Sequence, residues 1–274
     1  MIVVESKDEL KELINQRVKE QGPNCDLNDI DVSRIKDMSS LFYDLPFNGD
    51  ISTWDTSEVE DMSKLFSWSE FNGDISSWDV SSVRDMSHMF DNSQFTGDIS
   101  KWNVSNVESM RDMFAGSKFS GDISNWDTSK VEDMSGMFHS SKFNGDISNW
   151  NVSNVRDMAD MFCNSHFKGD ISRWNVSNVK SMNHMFMNSR FNKDISRWDV
   201  SRVENMNCMF AWSKFNGDIS SWNVSNVRSM NYMFSESKFR GDLSKWDVSK
   251  VEQSLHIFDR SLLDGREPEW CKQA

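Results

Sequence analysis

The sequence predicts a repeat solenoid, in which short units stack along one axis and share a hydrophobic core. Phenylalanine recurs every 24 residues from Phe47 to Phe239, with no insertion between copies. A unit of this size cannot bury a core alone, but a stack of such units can. A helix signal precedes the repeats and supplies the cover that the open end of a stack requires. These observations favour a stacked repeat over a globular domain.

We number the positions of each unit 1–24 from its first phenylalanine and call one unit a rung. Nine regular rungs tile residues 47–262, and a degenerate rung over residues 23–46 precedes them. Across the nine regular rungs, Phe at position 1, Trp at 8, Val at 13 and Phe at 20 do not vary. The sequence therefore predicts a ten-rung solenoid over residues 23–262.

The segments that flank the rungs are predicted to be caps. The stretch from Ser6 to Glu9 is a capping box, which predicts a helix over about residues 7–20. We therefore assign residues 1–22 to an N-terminal capping helix region. Residues 263–274 are assigned to a C-terminal cap or tail, in which Trp270 supplies apolar cover.

Within each rung the sequence predicts one short strand and one short helix. Ile-Ser-x-Trp at positions 5–8 has strand character, and the Gly-Asp before it marks a turn. In the rung that begins at Phe71, apolar residues then follow the spacing of a helical face: Val83, Met86, Met89 and Phe90. We expect a short α-helix or 3₁₀ segment there.

The composition excludes several classes of protein. The chain has 30 Lys and Arg against 43 Asp and Glu, a formal charge of −13. This balance argues against a protein whose whole surface binds nucleic acid or anionic lipid, but it allows a local basic stripe. No apolar run approaches the roughly 18 residues that a membrane-spanning helix needs. The residues that follow Met1 lack the basic and apolar regions of a secretory signal peptide.

Two side chains that recur on every regular rung are candidates for chemistry. The tryptophans at position 8 are interpreted as core residues rather than as an aromatic strip for sugars or bases. The aspartates at position 4 are interpreted as acceptors of hydrogen bonds within their own turns. Ca²⁺ bound between rungs is the less favoured alternative. The aspartates are Asp50, Asp74, Asp98, Asp122, Asp146, Asp170, Asp194, Asp218 and Asp242.

The sequence contains no recognisable pattern of nucleophile, base or metal ligands. No Ser-His-Asp arrangement, phosphate loop or metalloprotease motif occurs. Neither a disulfide scaffold nor a zinc site is expected, because the cysteines include no CxxC motif. They are Cys25, Cys163, Cys208 and Cys271, and we expect four free thiols. The sequence therefore predicts a protein that is not an enzyme and has no cofactor.

Positions that vary between rungs are the candidates for ligand binding. Trp68 and Trp212, both at position 22, are candidate aromatic anchors. Position 24 carries cations in the C-terminal two-thirds of the repeats. Within an acidic protein such cations are suited to an acidic protein, glycan or other anionic polymer, and a solvated edge that balances the aspartates is the plainer alternative. We call these five residues the basic row: Lys118, Lys142, Arg190, Lys214 and Lys238.

Position 14 alternates in sign along the stack. Glu60 is followed by Arg84 and then by Glu108, and the pattern continues with exceptions to Glu252. Neighbouring rungs so placed would form exposed ion pairs, each worth about 0–1 kcal/mol. We interpret the pattern as control of register, because a slip by one rung would bring more like charges together.

The run FNGDISNWNVSNVRDMADMF at residues 143–162 resembles the repeat of the BspA-like surface-protein family. It is most similar to the branch of mycoplasma surface lipoproteins of unknown function. The resemblance covers about residues 23–262 and implies a divergent leucine-rich-repeat fold. Members of that family are commonly bacterial surface proteins or adhesins that bind host or environmental macromolecules. The family has no catalytic residues to carry over.

The leading expectation is a non-catalytic binding or adhesion protein of the bacterial surface type. Its partner would be a protein or glycan, with an acidic one favoured and no specific nucleic-acid binding. The alternative is an intracellular scaffold or a delivered effector, which the free thiols and the missing signal peptide favour. The resemblance implies a cell-surface or secreted location, whereas residues 1–22 contain no signal peptide or lipid-anchor cysteine.

Overall fold

The computed structural model of the chain describes residues 1–272 as a solenoid of ten stacked rungs. Nine isolated parallel β-bridges join the position-15 residues of successive rungs, from Asp37 to Gln253. In the described range, helices and strands occur only at the ends of the stack. They are β1 (Ile2–Val3), α1 (Lys7–Gln21), β2 (Ile30–Asp31) and a 3₁₀ helix (Glu269–Lys272), and β1 pairs in parallel with β2.

The core of the stack consists of aromatic and methionine side chains from every rung. In the rung that begins at Phe71, the side chains of Phe71, Met86 and Phe90 are fully buried and that of Trp78 nearly so. The ring of Phe90 stacks on that of Phe95 with centroids 4.4 Å apart. The same positions are buried in neighbouring rungs, so one core runs along the stack.

The position-8 tryptophans lie in this core, which confirms their interpretation. The side chain of Trp150 is 3% exposed, and its Nε1 donates to the carbonyl oxygen of Ile123 on the preceding rung at 3.0 Å. The indole also stacks on Trp126 with ring centroids 6.5 Å apart. Each tryptophan therefore binds its rung to the one before it and presents no ring face to a sugar.

The short helix predicted for each rung is wrong. Between Met62 and Trp68 the backbone amides of alternate residues donate to the next rung, as Met62 does to the carbonyl of Asp85 at 2.9 Å. The amides between them close tight turns, as Leu65 does to the carbonyl of Met62 at 3.2 Å. Lys64 and Trp68 have positive φ values of 58° and 57°. A left-handed residue at every fourth position interrupts any helix.

The strand predicted at positions 5–8 is also wrong. The amide of Trp78 donates to the carbonyl of Ile75 at 3.2 Å, which closes a tight turn. Both side chains are buried, and this turn places them on one face although they are three residues apart, which an extended strand cannot do. Pairing between rungs falls instead at position 15, where Asp85 bridges to Asp61 and to Ser109.

The helix α1 lies where the sequence predicts it, beside the first rung. Ser6 is its N-cap and accepts a hydrogen bond from the amide of Glu9. The side chains of Leu10 and Ile14 are fully buried in the core of the stack. Lys7 Nζ lies 3.0 Å from Asp37 Oδ1 in the first rung. The apolar stripe and this ion pair therefore join α1 to residues 23–46.

The residues beyond the last regular rung add one more tryptophan to the ladder. Trp270 follows Trp246 by 24 residues, and its ring stacks on that of Trp246 with centroids 6.5 Å apart. Its Nε1 donates to the carbonyl oxygen of Leu243 at 2.9 Å. This bond repeats the one that the other tryptophans make. Leu263 also packs against the core.

Candidate functional site

The position-4 aspartates form one exposed file in which each carboxylate accepts a hydrogen bond from its own turn. In all nine, Oδ1 accepts from the amide of the serine two residues later, at 2.9–3.0 Å. The bonds from Ser124 hold the pKa of Asp122 below its ordinary value, although the charge of Asp98 opposes this shift. The hydrogen-bonding interpretation is confirmed. Within residues 1–272 no three of these carboxylates bring oxygens within 4.8 Å of one another, and Ca²⁺ takes roughly six to eight oxygens.

The basic row is exposed on six consecutive rungs, where His166 occupies the place between Lys142 and Arg190. In the described part of the chain, none of its five cations forms an ion pair. The backbone holds the row in register, as the amide of Lys118 donates to the carbonyl of Ser93 at 3.2 Å. With rungs about 4.8 Å apart, the row spans about 24 Å.

The cations of position 14 differ from the basic row because they are paired. Lys36 Nζ lies 2.9 Å from Glu60 Oε1, and Arg84 lies 3.0 Å from Glu108 Oε1, each pair joining adjacent rungs. Two further pairs repeat the arrangement: Arg156 with Glu132, and Arg228 with Glu252. The ion pairs predicted from the alternation of sign are confirmed. All are exposed, so each contributes little to stability.

The structure does not bring the two candidate anchors together. The side chains of Trp68 and Trp212 are 56% and 47% exposed, but they lie six rungs apart, or about 29 Å. Trp212 borders a shallow cavity of about 240 Å³ that Tyr232 and His256 also line. The rings of these two residues stack with centroids 5.1 Å apart. Trp212 therefore belongs to an aromatic surface patch near the C-terminal end of the stack.

A second variable face is formed by positions 18 and 21, which lie in the same turn of each rung. The amide of Cys163 donates to the carbonyl of Asp160 at 2.9 Å and closes that turn. Residues at equal positions stack, so His139 lies beside Cys163, and His184 beside Asp160. The ligand atoms of His139, Asp160 and Cys163 all lie within 4.8 Å of one another, and we call these three residues the His139 cluster. His184 Nδ1 is 3.6 Å from Asp160 Oδ1.

The environment of this cluster changes the acidity of its neighbours. Burial raises the pKa of the Cys163 thiol to about 12, and the charge of Asp160 adds to the shift. Hydrogen bonds to Asp160 and Cys208 raise the pKa of His184 to about 10. Cys163 is fully buried, whereas His139 and Asp160 are half-buried and line a cavity of about 490 Å³. Solvent therefore reaches two of the three side chains.

The sequence analysis missed this cluster because it searched for motifs along the chain and not for register between rungs. Residues 139 and 163 differ by 24, and so do residues 160 and 184. That difference was the available signal, since it places each pair side by side. The expectation of four free thiols is confirmed: Cys25 and Cys163 are buried, and Cys208 and Cys271 are half-buried.

The family described as "Mycoplasma protein of unknown function, DUF285" matches the chain over residues 9–120, 109–212 and 164–264. The chain belongs to the DUF285 family. Together these ranges contain most of α1 and all ten rungs of this DUF285 protein. No curated protein and no solved structure matches the chain significantly.

The DUF285 family has no stated function, so its members assign no role to any residue here. The two surfaces described above must be interpreted from their own geometry. Across the described part of this DUF285 protein, no helix has the length and apolarity needed to cross a membrane.

Proposed function

We propose that this DUF285 protein is a non-catalytic binding protein of the BspA-like surface type, which holds an acidic protein or glycan along the basic row. One observation carries the proposal. Five cations lie exposed on six consecutive rungs, and none is paired with a carboxylate within residues 1–272. The resemblance of the repeats to surface proteins and adhesins supports a location on the cell surface.

The spacing of the row suits a linear anionic partner. Neighbouring cations such as Lys214 and Lys238 stand on adjacent rungs, about 4.8 Å apart at the backbone. Their mutual repulsion in water is at most about 1 kcal/mol, and an anionic partner relieves it. A local positive potential on a protein of charge −13 also steers such a partner to this edge.

Two finer features of the fold belong to the same proposal. The rungs are a divergent form of leucine-rich repeat, in which one parallel bridge at position 15 takes the place of a longer strand. The bridges between Asp61, Asp85 and Ser109 support this relation. The helix α1 serves as the N-terminal cap, and the burial of its Leu10 and Ile14 supports that role.

The experiment compares two triple charge reversals that change the net charge by the same amount. The test variant reverses three residues of the basic row: Lys142→Glu, Arg190→Glu and Lys214→Glu. The control reverses three paired cations of position 14: Arg84→Glu, Arg156→Glu and Arg228→Glu. Association rates are measured by surface plasmon resonance on immobilised heparin and on immobilised polyglutamate, at low and at physiological salt.

We expect the parent protein to bind at least one of the two polyanions. The test variant should associate more than about tenfold more slowly at low salt, and the control should retain most of the parent's rate. Binding by the parent should weaken as salt rises, because exposed charges are screened. Equal losses in both variants would reject the basic row as the contact, and so would a rate that salt does not change.

A further inference from the structure

We propose that the His139 cluster is a binding site for one zinc-type divalent ion, with His139, Asp160 and Cys163 as the protein ligands. The site lies on the face formed by positions 18 and 21 and does not depend on the basic row. It is built from two adjacent rungs, of which one supplies His139 and the other supplies Asp160 and Cys163.

The stacking of the rungs brings the three ligands together. His139 and Cys163 both occupy position 21, so they are neighbours across one rung boundary. Asp160 lies in the same turn as Cys163, and the hydrogen bond of 2.9 Å between their backbones fixes their relative position. One ligand atom from each residue lies within 4.8 Å of the other two. Zinc bonds of about 2.0–2.3 Å place ligand atoms about 3.5 Å apart, so side-chain movements of about 1.3 Å at most complete the site.

Beside the cluster there is room for an ion and solvent. Position 18 of the rung that supplies His139 is Gly136, which has no side chain and a positive φ of 62°. The cavity of about 490 Å³ opens there, and Gly136, His139, Asp160 and Asn183 are among the residues that line it. Three protein ligands with an open fourth position facing solvent is a common arrangement for zinc.

The donor set selects the class of metal. An imidazole nitrogen, a carboxylate oxygen and a thiolate sulfur suit Zn²⁺ and similar transition metals, whereas Ca²⁺ and Mg²⁺ take oxygen ligands. Zn²⁺ binds the thiolate of Cys163, so one proton leaves to solvent on binding. Within the described residues no other group of three His, Cys, Asp or Glu side chains converges this closely. His88, for example, lies 3.8 Å from Asp91 and 3.7 Å from Asp112, but no thiol completes that group.

Neighbouring side chains support the three ligands from outside. Asn164 Nδ2 lies 3.4 Å from Cys163 Sγ. His184 Nδ1 lies 3.6 Å from the Oδ1 atom of Asp160 and holds that carboxylate from the next rung. Such outer contacts orient metal ligands and tune their affinity.

The repeat itself supplies substitutions that the fold accepts. Position 21 is alanine in two other rungs, as Ala115 and Ala211, and both are buried. His139→Ala and Cys163→Ala therefore place at each site a residue that the same turn already carries. The matched controls are His166→Ala, which removes an exposed imidazole, and Cys25→Ala, which removes a buried thiol in the first rung.

The test is a calorimetric titration of chelator-treated protein with Zn²⁺, repeated with Co²⁺ and followed by absorption. We expect one ion per chain, and the Co²⁺ complex should show near-ultraviolet charge-transfer absorption from the thiolate. His139→Ala and Cys163→Ala should each weaken Zn²⁺ binding by more than about 100-fold, beyond the usual cost of losing an outer contact. His166→Ala and Cys25→Ala should bind as the parent does.

Three results would overturn the proposal. The first is a parent protein that does not bind Zn²⁺. The second is binding that His139→Ala and Cys163→Ala leave unchanged, which would assign the ion to exposed carboxylates such as the position-4 file. The third is a Co²⁺ complex without thiolate absorption. Circular dichroism of each variant before titration separates a loss of ligands from a loss of fold.

Discussion

Replacing Trp150 by alanine should show how strongly the tryptophan ladder holds neighbouring rungs together. The indole is 3% exposed, stacks on Trp126 and donates to the carbonyl of Ile123 at 3.0 Å. Removal of a large aromatic side chain from a core costs about 3–5 kcal/mol. The change also removes the donor to a buried carbonyl, and an unsatisfied group of that kind costs about 1–3 kcal/mol. We therefore expect a loss near the upper end of the first range, about 5 kcal/mol.

Two further variants separate the contributions to that loss. Trp150→Phe keeps an aromatic ring and removes the N–H donor, so it should cost about 1–3 kcal/mol. Trp212→Asn is the surface control, because Trp212 is exposed and Asn188 occupies the same position with a φ of 51°. That substitution should change the free energy of unfolding by no more than about 0.5 kcal/mol.

The measurement is equilibrium unfolding in urea, followed by far-ultraviolet circular dichroism because the chain contains 12 tryptophans that complicate fluorescence. Trp150→Ala should lower the midpoint or divide the curve into two transitions, since the rungs on either side would lose part of their coupling. A curve for Trp150→Ala that superimposes on that of Trp212→Asn would refute the reasoning. It would mean that the ladder adds nothing to the coupling between rungs.

Three further changes test α1, the aspartate file and the ion pairs. Leu10→Ala should lower the free energy of unfolding by about 2–5 kcal/mol if α1 caps the stack, since Leu10 is fully buried, and a urea midpoint equal to that of the exposed control Glu12→Ala would contradict a cap. The pKa of Asp122 lies below its ordinary value of 3.8, so its carboxylate stabilises the fold above about pH 4 and loses that effect as pH falls through the folded pKa. The advantage of the parent over Asp122→Asn in urea should therefore shrink between about pH 5 and pH 2, and a difference independent of pH would argue against the amide bond as its cause. Arg84→Glu, opposite Glu108, should cost less than about 1 kcal/mol in the same assay because both side chains are exposed, and a larger loss would show that these pairs do more than control register.

The periodicity of the sequence was sufficient to predict the stack and its core. In a solenoid each apolar position packs against its own copy in the rungs above and below. A side chain that is buried in one rung, such as Phe90, is therefore buried in the next as Phe114. The helix α1 was predictable for a different reason, since a capping box and an apolar stripe are local signals.

The conformation inside each rung could not be predicted from hydrophobic spacing, because hydrogen bonds between rungs determine it. Met86, Met89 and Phe90 have the spacing of a helical face, and a chain of tight turns buries the same side chains. One signal of the turns was present. Gly116 and Asn188 stand at position 22, where the backbone has a positive φ that glycine and asparagine adopt more readily than other residues.

The His139 cluster was unpredictable from motifs for a related reason. Its members come from separate rungs, and their proximity follows from the period of 24 residues rather than from any short spacing. The basic row was visible in the sequence because its residues share one position. The absence of carboxylate partners beside it, within residues 1–272, required the structure.

Because every rung bonds to its neighbours through the same backbone atoms, the 24-residue unit behaves as an interchangeable cassette. Removal of residues 143–166 as a block would let the position-15 bridge form anew between Asp133 and Ser181, and the aromatic core would close over the gap. The surface would change at the same stroke, since His139 would then lie in the rung next to His184. A deletion of any other length would turn core positions outward. Recombination between units can thus create new combinations of surface side chains while the interior is copied unchanged.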